Sequence, residues 1–132
     1  MTGVSAGGDL LPFQCMWQGN TPAVLPKPTA PGYEEANALG FLFEFTHTST
    51  YWSTEATMKS YVKNTLIPHF HHYKEKLGLP QCQCCVWQLD VWSVHISVSF
   101  REWMATEYPW IILDYVPPGC TGLFQPCDVG MQ

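Results

Sequence analysis

The chain of 132 residues predicts an α/β fold, and three observations in its second half carry that prediction. Residues 84 to 90, CCVWQLD, form a short apolar run of strand length. From about Ser97 to Tyr108 the apolar residues Val98, Phe100, Trp103 and Met104 recur at helical spacing, and Trp110 to Val116 is again a short apolar strand. A strand, a helix of about twelve residues and a second strand make a right-handed parallel crossover the natural arrangement, because parallel neighbours need a long connection and it returns to the sheet with one hand.

The first half reads as strand, long connection, strand and helix. LLPFQCMWQ at 10 to 18 is an apolar run that follows the Gly7-Gly8-Asp9 turn signal, so Thr2 to Ala6 is the short partner of a hairpin, and Pro12 marks an edge or a bulge. Residues 20 to 40 carry Pro22, Pro26, Pro28 and Pro31 and end in small residues, which predicts a connection without regular structure. FLFEFTH at 41 to 47 puts Phe41, Phe43 and Phe45 on one face at period two, a strand. Ser53 is placed to cap a helix with Glu55 in its first turn. Met58, Tyr61, Val62, Thr65, Leu66, Phe70, Tyr73 and Leu77 follow helical spacing until Gly78 and Pro80 stop it. Pro68 must kink or divide that helix.

Composition bounds the function. The length suits one domain, residues 1 to 132, burying roughly two-thirds of the unfolded chain's surface. The residues are 46% hydrophobic and 13% charged, so a core can be filled while few surface charges keep copies apart, which predicts a tendency to self-association. A net charge of −5 with six Lys and Arg leaves no basic footprint and argues against tight binding to DNA. No apolar run is long enough for a membrane span or an export signal, which predicts a nuclear or cytoplasmic chain with six free thiols.

Two carboxylates point to chemistry. Asp90, in QLDVWSVH, falls at the carboxyl end of a predicted parallel strand, where side chains of such units converge on a crevice. Asp128, in QPCDVGMQ, lies beyond the next strand and a PPGC turn, so one crossover can bring it to the same end of the sheet. Two carboxylates meeting there need a cation, and Mg²⁺ takes carboxylate oxygens together with substrate phosphates. The sharp expectation is metal-assisted phosphoryl transfer, against a plain solvated turn for Asp128.

At these residues the chain resembles a known family. LDVWSVHIS followed by WIILDYVPPGCTGLFQPCDVGMQ resembles the second half of a DDE superfamily endonuclease domain, the pogo-like transposase type. GVSAGGDLLPFQCMWQG resembles that family's hairpin and HTSTYWSTEATMKSYVKNTLIPHF its turn and helix. The resemblance implies a ribonuclease-H-like (RNase H-like) mixed sheet with flanking helices, and three acids that hold two Mg²⁺ or Mn²⁺ ions for cleavage and transfer of DNA. Asp90 matches the second acid and Asp128 the third, as catalytic and metal-ligating residues. The first acid belongs to a central strand before the hairpin, which these residues do not include. The chain is therefore expected to be a truncated, partial domain from a transposable element, inactive without that acid. The alternative is a non-enzymatic nucleic-acid- or protein-binding descendant.

Other candidates weigh less. Asp9 reads as turn chemistry and Asp114 as an exposed edge group on the strand opposite Leu113 and Tyr115. His69, His71 and His72 with Cys82, Cys84 and Cys85 offer a rival zinc site. The spacing fits poorly, however, against histidines on a solvated helix and cysteines packed at a strand start. His95, five residues after Asp90, is a helix-start histidine making a local hydrogen bond, with support of a metal ligand as its functional reading. The six tryptophans are assigned to the core and Cys120 and Cys127 to buried thiols.

Overall fold

The structure is a computed structural model that describes residues 1–125 and 127. It is mixed α/β, with two short parallel pairs of strands, and its contacts gather into two compact units, Met1–Thr65 and Leu66–Gln132.

In the first unit the expected hairpin is present in reduced form. Val4 and Leu10 make an isolated antiparallel bridge, and the Leu11 amide donates to the Gly3 carbonyl over 2.9 Å. Asp9 sits in its turn as expected: its backbone amide donates to the Ser5 hydroxyl oxygen over 3.0 Å and its carboxylate accepts from that hydroxyl over 2.8 Å. Gly3 is required by space, since a Cβ there would stand 2.5 Å from the Tyr61 hydroxyl.

Strand β1, Gln14–Trp17, then pairs in parallel with β2, Leu42–Phe45, in the register Gln14 to Leu42 through Trp17 to Phe45. The connection between them is more ordered than its prolines predict. It contains a 3₁₀ turn at Pro22–Val24 and a short helix α1, Tyr33–Ala38, which ends at Gly40 with φ of 75°. Proline suits the first turn of a helix, where its missing N–H has no partner to lose, so Pro22 opens the 3₁₀ turn rather than excluding structure. Tyr33 at the start of α1 stacks on Phe43 at 5.3 Å, a tertiary contact that local composition does not signal.

Helix α2, Glu55–Tyr61, is capped by Thr54, one residue after the expected Ser53. Thr54 and Thr57 exchange side-chain and backbone bonds as a capping box. Met58, Tyr61 and Val62 are buried with Leu11, as the helical spacing predicts. A π-helical segment, Val62–Leu66, follows and leads into α3, Ile67–Lys76. Pro68 thus divides the helix, as the sequence predicts, with the π-helical segment between α2 and α3. It stands in the first turn of α3, and the i to i+5 bonding just before it serves carbonyls that would otherwise look for the N–H proline lacks.

A polar cluster lies inside the first unit. Gln14 is 1% exposed, and its Nε2 donates to Glu44 Oε2 and to the Thr57 carbonyl, each over 2.7 Å. The Ser60 hydroxyl donates to Glu44 Oε1, and Asn64 Nδ2 donates to Ser60 Oγ over 3.1 Å.

The second unit holds the predicted crossover. Strand β3, Cys85–Leu89, helix α4, Val98–Glu107, and strand β4, Ile111–Tyr115, follow in order. The strands are parallel, in the register Cys85 to Ile111 through Leu89 to Tyr115. Ser97 caps α4 by accepting the Phe100 amide. Phe100 and Met104, four residues apart on one face, are buried with Leu89, Ile111 and Val116, and the Phe100 ring meets Trp87 of β3 edge-on at 6.5 Å. A four-residue helix, α5, covers Thr121–Phe124.

Two core expectations are corrected. None of the six tryptophans is fully buried and Trp52 is 53% exposed, because the indole is too large for so small a core to enclose. On α3, Leu77 is exposed while Lys74 is buried. The Lys74 ammonium donates to the Gln81 carbonyl over 2.6 Å and stands 3.4 Å from the centre of the Trp110 ring, contacts that compensate its lost hydration.

Candidate functional site

Asp90 directly follows the last residue of β3, at the carboxyl end of a parallel strand, where the sequence places it. The Val116 amide donates to the Leu89 carbonyl over 2.8 Å, so the two parallel strands stay bonded up to this end. The chain then leaves the sheet through a turn over residues 93 to 96 before Ser97 starts α4.

That turn brings His95 back to Asp90. His95 Nδ1 lies 2.6 Å from Asp90 Oδ1 and 3.2 Å from the Asp90 carbonyl oxygen, with the imidazole 12% and the carboxylate 36% exposed. As an Nδ1–H donor, His95 fixes the orientation of the carboxylate and occupies one of its oxygens. The other ring nitrogen, Nε2, is buried without a hydrogen-bond partner among the described residues. The turn is tied to β4, since the Tyr115 hydroxyl donates to the His95 carbonyl over 2.9 Å. Tyr115 was not among the candidates read from the sequence. The only signal for it is a tyrosine at the end of the strand next to the one that ends at Asp90. Burial raises its hydroxyl pKa, with Arg101 acting in the opposite sense.

His95 lies in the turn before α4 and makes the local hydrogen bond expected of it. Asp128 lies outside the described residues. Asp114 is exposed on β4 and accepts from Gln88 Nε2 over 3.0 Å, an edge pair as expected.

For a hard divalent ion, Asp90 has the right chemistry: a half-exposed carboxylate oriented through Oδ1, with Oδ2 making no hydrogen bond among the described residues. Mg²⁺ is held by one or two carboxylates together with waters and substrate phosphates, so Asp90 fits as one ligand of such a site. Among the described residues no group of three or more His, Cys, Asp or Glu is arranged to hold a metal. The rival zinc cluster is dispersed: His71 Nδ1 pairs with Gln81 Oε1 at 2.8 Å and His69 packs at 4.8 Å on Tyr73. Cys82 and Cys84 are exposed rather than packed at the strand start, while Cys85 is half-buried. Burial raises the Cys85 thiol pKa, partly offset by Lys74, and so disfavours the thiolate that zinc requires. All six cysteines are free thiols, with Cys120 and Cys127 half-buried.

No helix among the described residues is long and apolar enough to cross a membrane. No family model matches the chain, and neither a curated protein nor a solved structure matches it.

Proposed function

We propose that Asp90 and Asp128 are metal-ligating acids of a DDE-type endonuclease domain of transposase origin, with β3, α4 and β4 as part of a ribonuclease-H-like sheet. The observation that supports this reading is the position of Asp90, at the carboxyl end of one of two parallel strands joined through a helix, with its carboxylate half-exposed and aimed by His95. Mg²⁺ or Mn²⁺ bound there would supply a Lewis acid for a DNA phosphate and lower the pKa of water. The protein's own part is local. Asp90 offers Oδ2, His95 holds Oδ1, and Tyr115 anchors the turn that carries His95.

The second reading, a non-enzymatic descendant that binds protein or nucleic acid, draws support from two facts. One oxygen of Asp90 is already engaged by His95, and the chain carries six Lys and Arg against eleven Asp and Glu. Two matched acids fall short of the three that two-metal chemistry uses, so the 132 residues are expected to cut DNA no faster than their Asp90→Ala variant.

Manganese titration followed by paramagnetic broadening of amide resonances tests the metal site. The expected result is weak, saturable broadening at Asp90 and Asp128 together, lost in Asp90→Ala. Broadening at neither residue overturns the reading. Metal-dependent nicking that Asp90→Ala abolishes keeps the site and overturns the expected inactivity.

A further inference from the structure

The first unit contains a cavity of about 280 Å³ that the metal reading does not use. It is lined by Phe43, Glu44 and Phe45 of β2, by His47 just after it, and by Ala56, Thr57 and Ser60 of α2. Successive side chains of a strand point to opposite faces, so three consecutive residues border one space only along the strand's edge, where their main chain is shared. No residue of β1 lines the cavity. It therefore runs along the edge of β2 that faces away from β1.

That edge is open. The Leu42 amide donates to the Phe13 carbonyl over 2.9 Å and the Thr46 amide to the Trp17 carbonyl over 3.0 Å, so the even-numbered residues of β2 turn their main chain to β1. Phe43 and Phe45, one step out of phase, present their N–H and C=O groups on the cavity side. Among the described residues β1 is the only strand paired with β2, so these groups have no ladder partner. Natural edges are blunted by Lys, Pro or a bulge, and Leu42–Phe45 has none of these, its register on β1 being continuous. His47, with φ of 56°, ends the extended run, so the open stretch is short.

We propose that the open edge of β2 binds an extended peptide segment with a Lys or Arg at its centre. The main chain of the segment exchanges hydrogen bonds with Phe43 and Phe45 and adds a third strand to the β1–β2 pair. Its central side chain, beside Glu44, points to the α2 side, into the space bordered by Ala56, Thr57 and Ser60. The flanking side chains lie on the face of the Phe43 and Phe45 rings and are apolar. Charge decides the occupant. A second copy of the chain, exchanging bonds between Phe43 of one and Phe45 of the other, sets Glu44 directly opposite Glu44, and like charges so placed are destabilising, whereas a cation there is favourable. No Lys or Arg lines the cavity to neutralise Glu44 beforehand.

The capped peptide acetyl-Ser-Val-Lys-Val-Ser-amide, titrated into the full chain and followed by amide resonances, tests the proposal. Saturable shifts are expected at Phe43 to His47 and Ala56 to Ser60, with slowed hydrogen exchange of the Phe43 and Phe45 amides and no change at the Glu44 amide, which faces β1. The same peptide N-methylated at Val-Lys-Val, which cannot donate to a strand edge, is expected not to bind, and the peptide with Glu in place of Lys to bind roughly fivefold more weakly. Absence of saturable shifts at these residues, or equal binding of the N-methylated peptide, overturns the proposal. Equal binding of the Glu peptide overturns the cationic centre. Dimerisation in sedimentation that protects the Phe43 and Phe45 amides without any peptide overturns the choice of occupant in favour of a second copy.

Discussion

The two units solve the same problem by different means. Each holds one pair of parallel strands, and each must cross a long connection to make the second strand run with the first. In the second unit the crossover is a single capped helix, α4, whose Phe100 and Met104 are buried, Phe100 edge-on to Trp87 of β3. In the first it is a proline-rich path with a 3₁₀ turn and the short α1, tied down through Tyr33 on Phe43. Their polar groups differ in the same way. Glu44 is held inside by the buried Gln14, whereas Asp90 stands half-exposed at a strand end with His95. A carboxylate at a strand end stays hydrated and ready for a ligand from solvent, while one held beside a helix depends on neighbouring donors for its stability.

The largest test of this contrast is Phe100→Ala. The ring is fully buried, and removing it is expected to cost about 3–5 kcal/mol in urea denaturation. Hydrogen exchange should show the loss concentrated in β3, α4 and β4. Equal loss of protection in β1 and β2 would mean that the two units unfold as one.

The polar groups give the next comparison. Gln14→Ala removes two hydrogen bonds and leaves Glu44 and the Thr57 carbonyl short of a donor, an expected loss of about 1–3 kcal/mol. Asp90→Asn disturbs only a half-exposed pair, and less than about 1 kcal/mol is expected by the same denaturation. A larger cost for Asp90→Asn than for Gln14→Ala would reverse the assignment of structural and ligand-facing carboxylates.

The smallest effect concerns alkaline pH. Tyr115 has its pKa raised in the folded chain, so the unfolded chain ionises first as pH rises beyond about 10. The stabilisation is fully present below that pH and is lost as pH climbs through the folded value. Tyr115→Phe is expected to flatten part of this decline in a pH series of denaturation midpoints. An unchanged slope would show that burial does not raise the Tyr115 hydroxyl pKa in the folded chain.

The elements that were legible from the sequence depend on near neighbours. Helical spacing at Val98, Phe100 and Met104 and the apolar run at Cys85 to Leu89 located α4 and β3, and the position of Asp90 at the end of β3 followed from them. The hairpin turn at Asp9 and the edge pairing of Asp114 were legible for the same reason, since each rests on a local turn or on the alternation of a strand. The connection from 20 to 40 was misread because proline forbids only interior helical positions, and whether it starts a helix depends on where the chain next finds a packing partner.

What the tertiary structure decided is the company each residue keeps. Alternation puts Glu44 on the face opposite Phe43 and Phe45, but only the packing of α2 and β1 supplies Ser60 and Gln14 to it. Helical spacing favoured Leu77 for the core of α3 over Lys74. The choice was reversed because the Gln81 carbonyl and the Trp110 ring, both distant along the chain, compensate the buried ammonium. Local geometry is encoded by neighbours in sequence and can be read there, whereas desolvation and its compensation depend on groups brought together by folding, which spacing along the chain does not record.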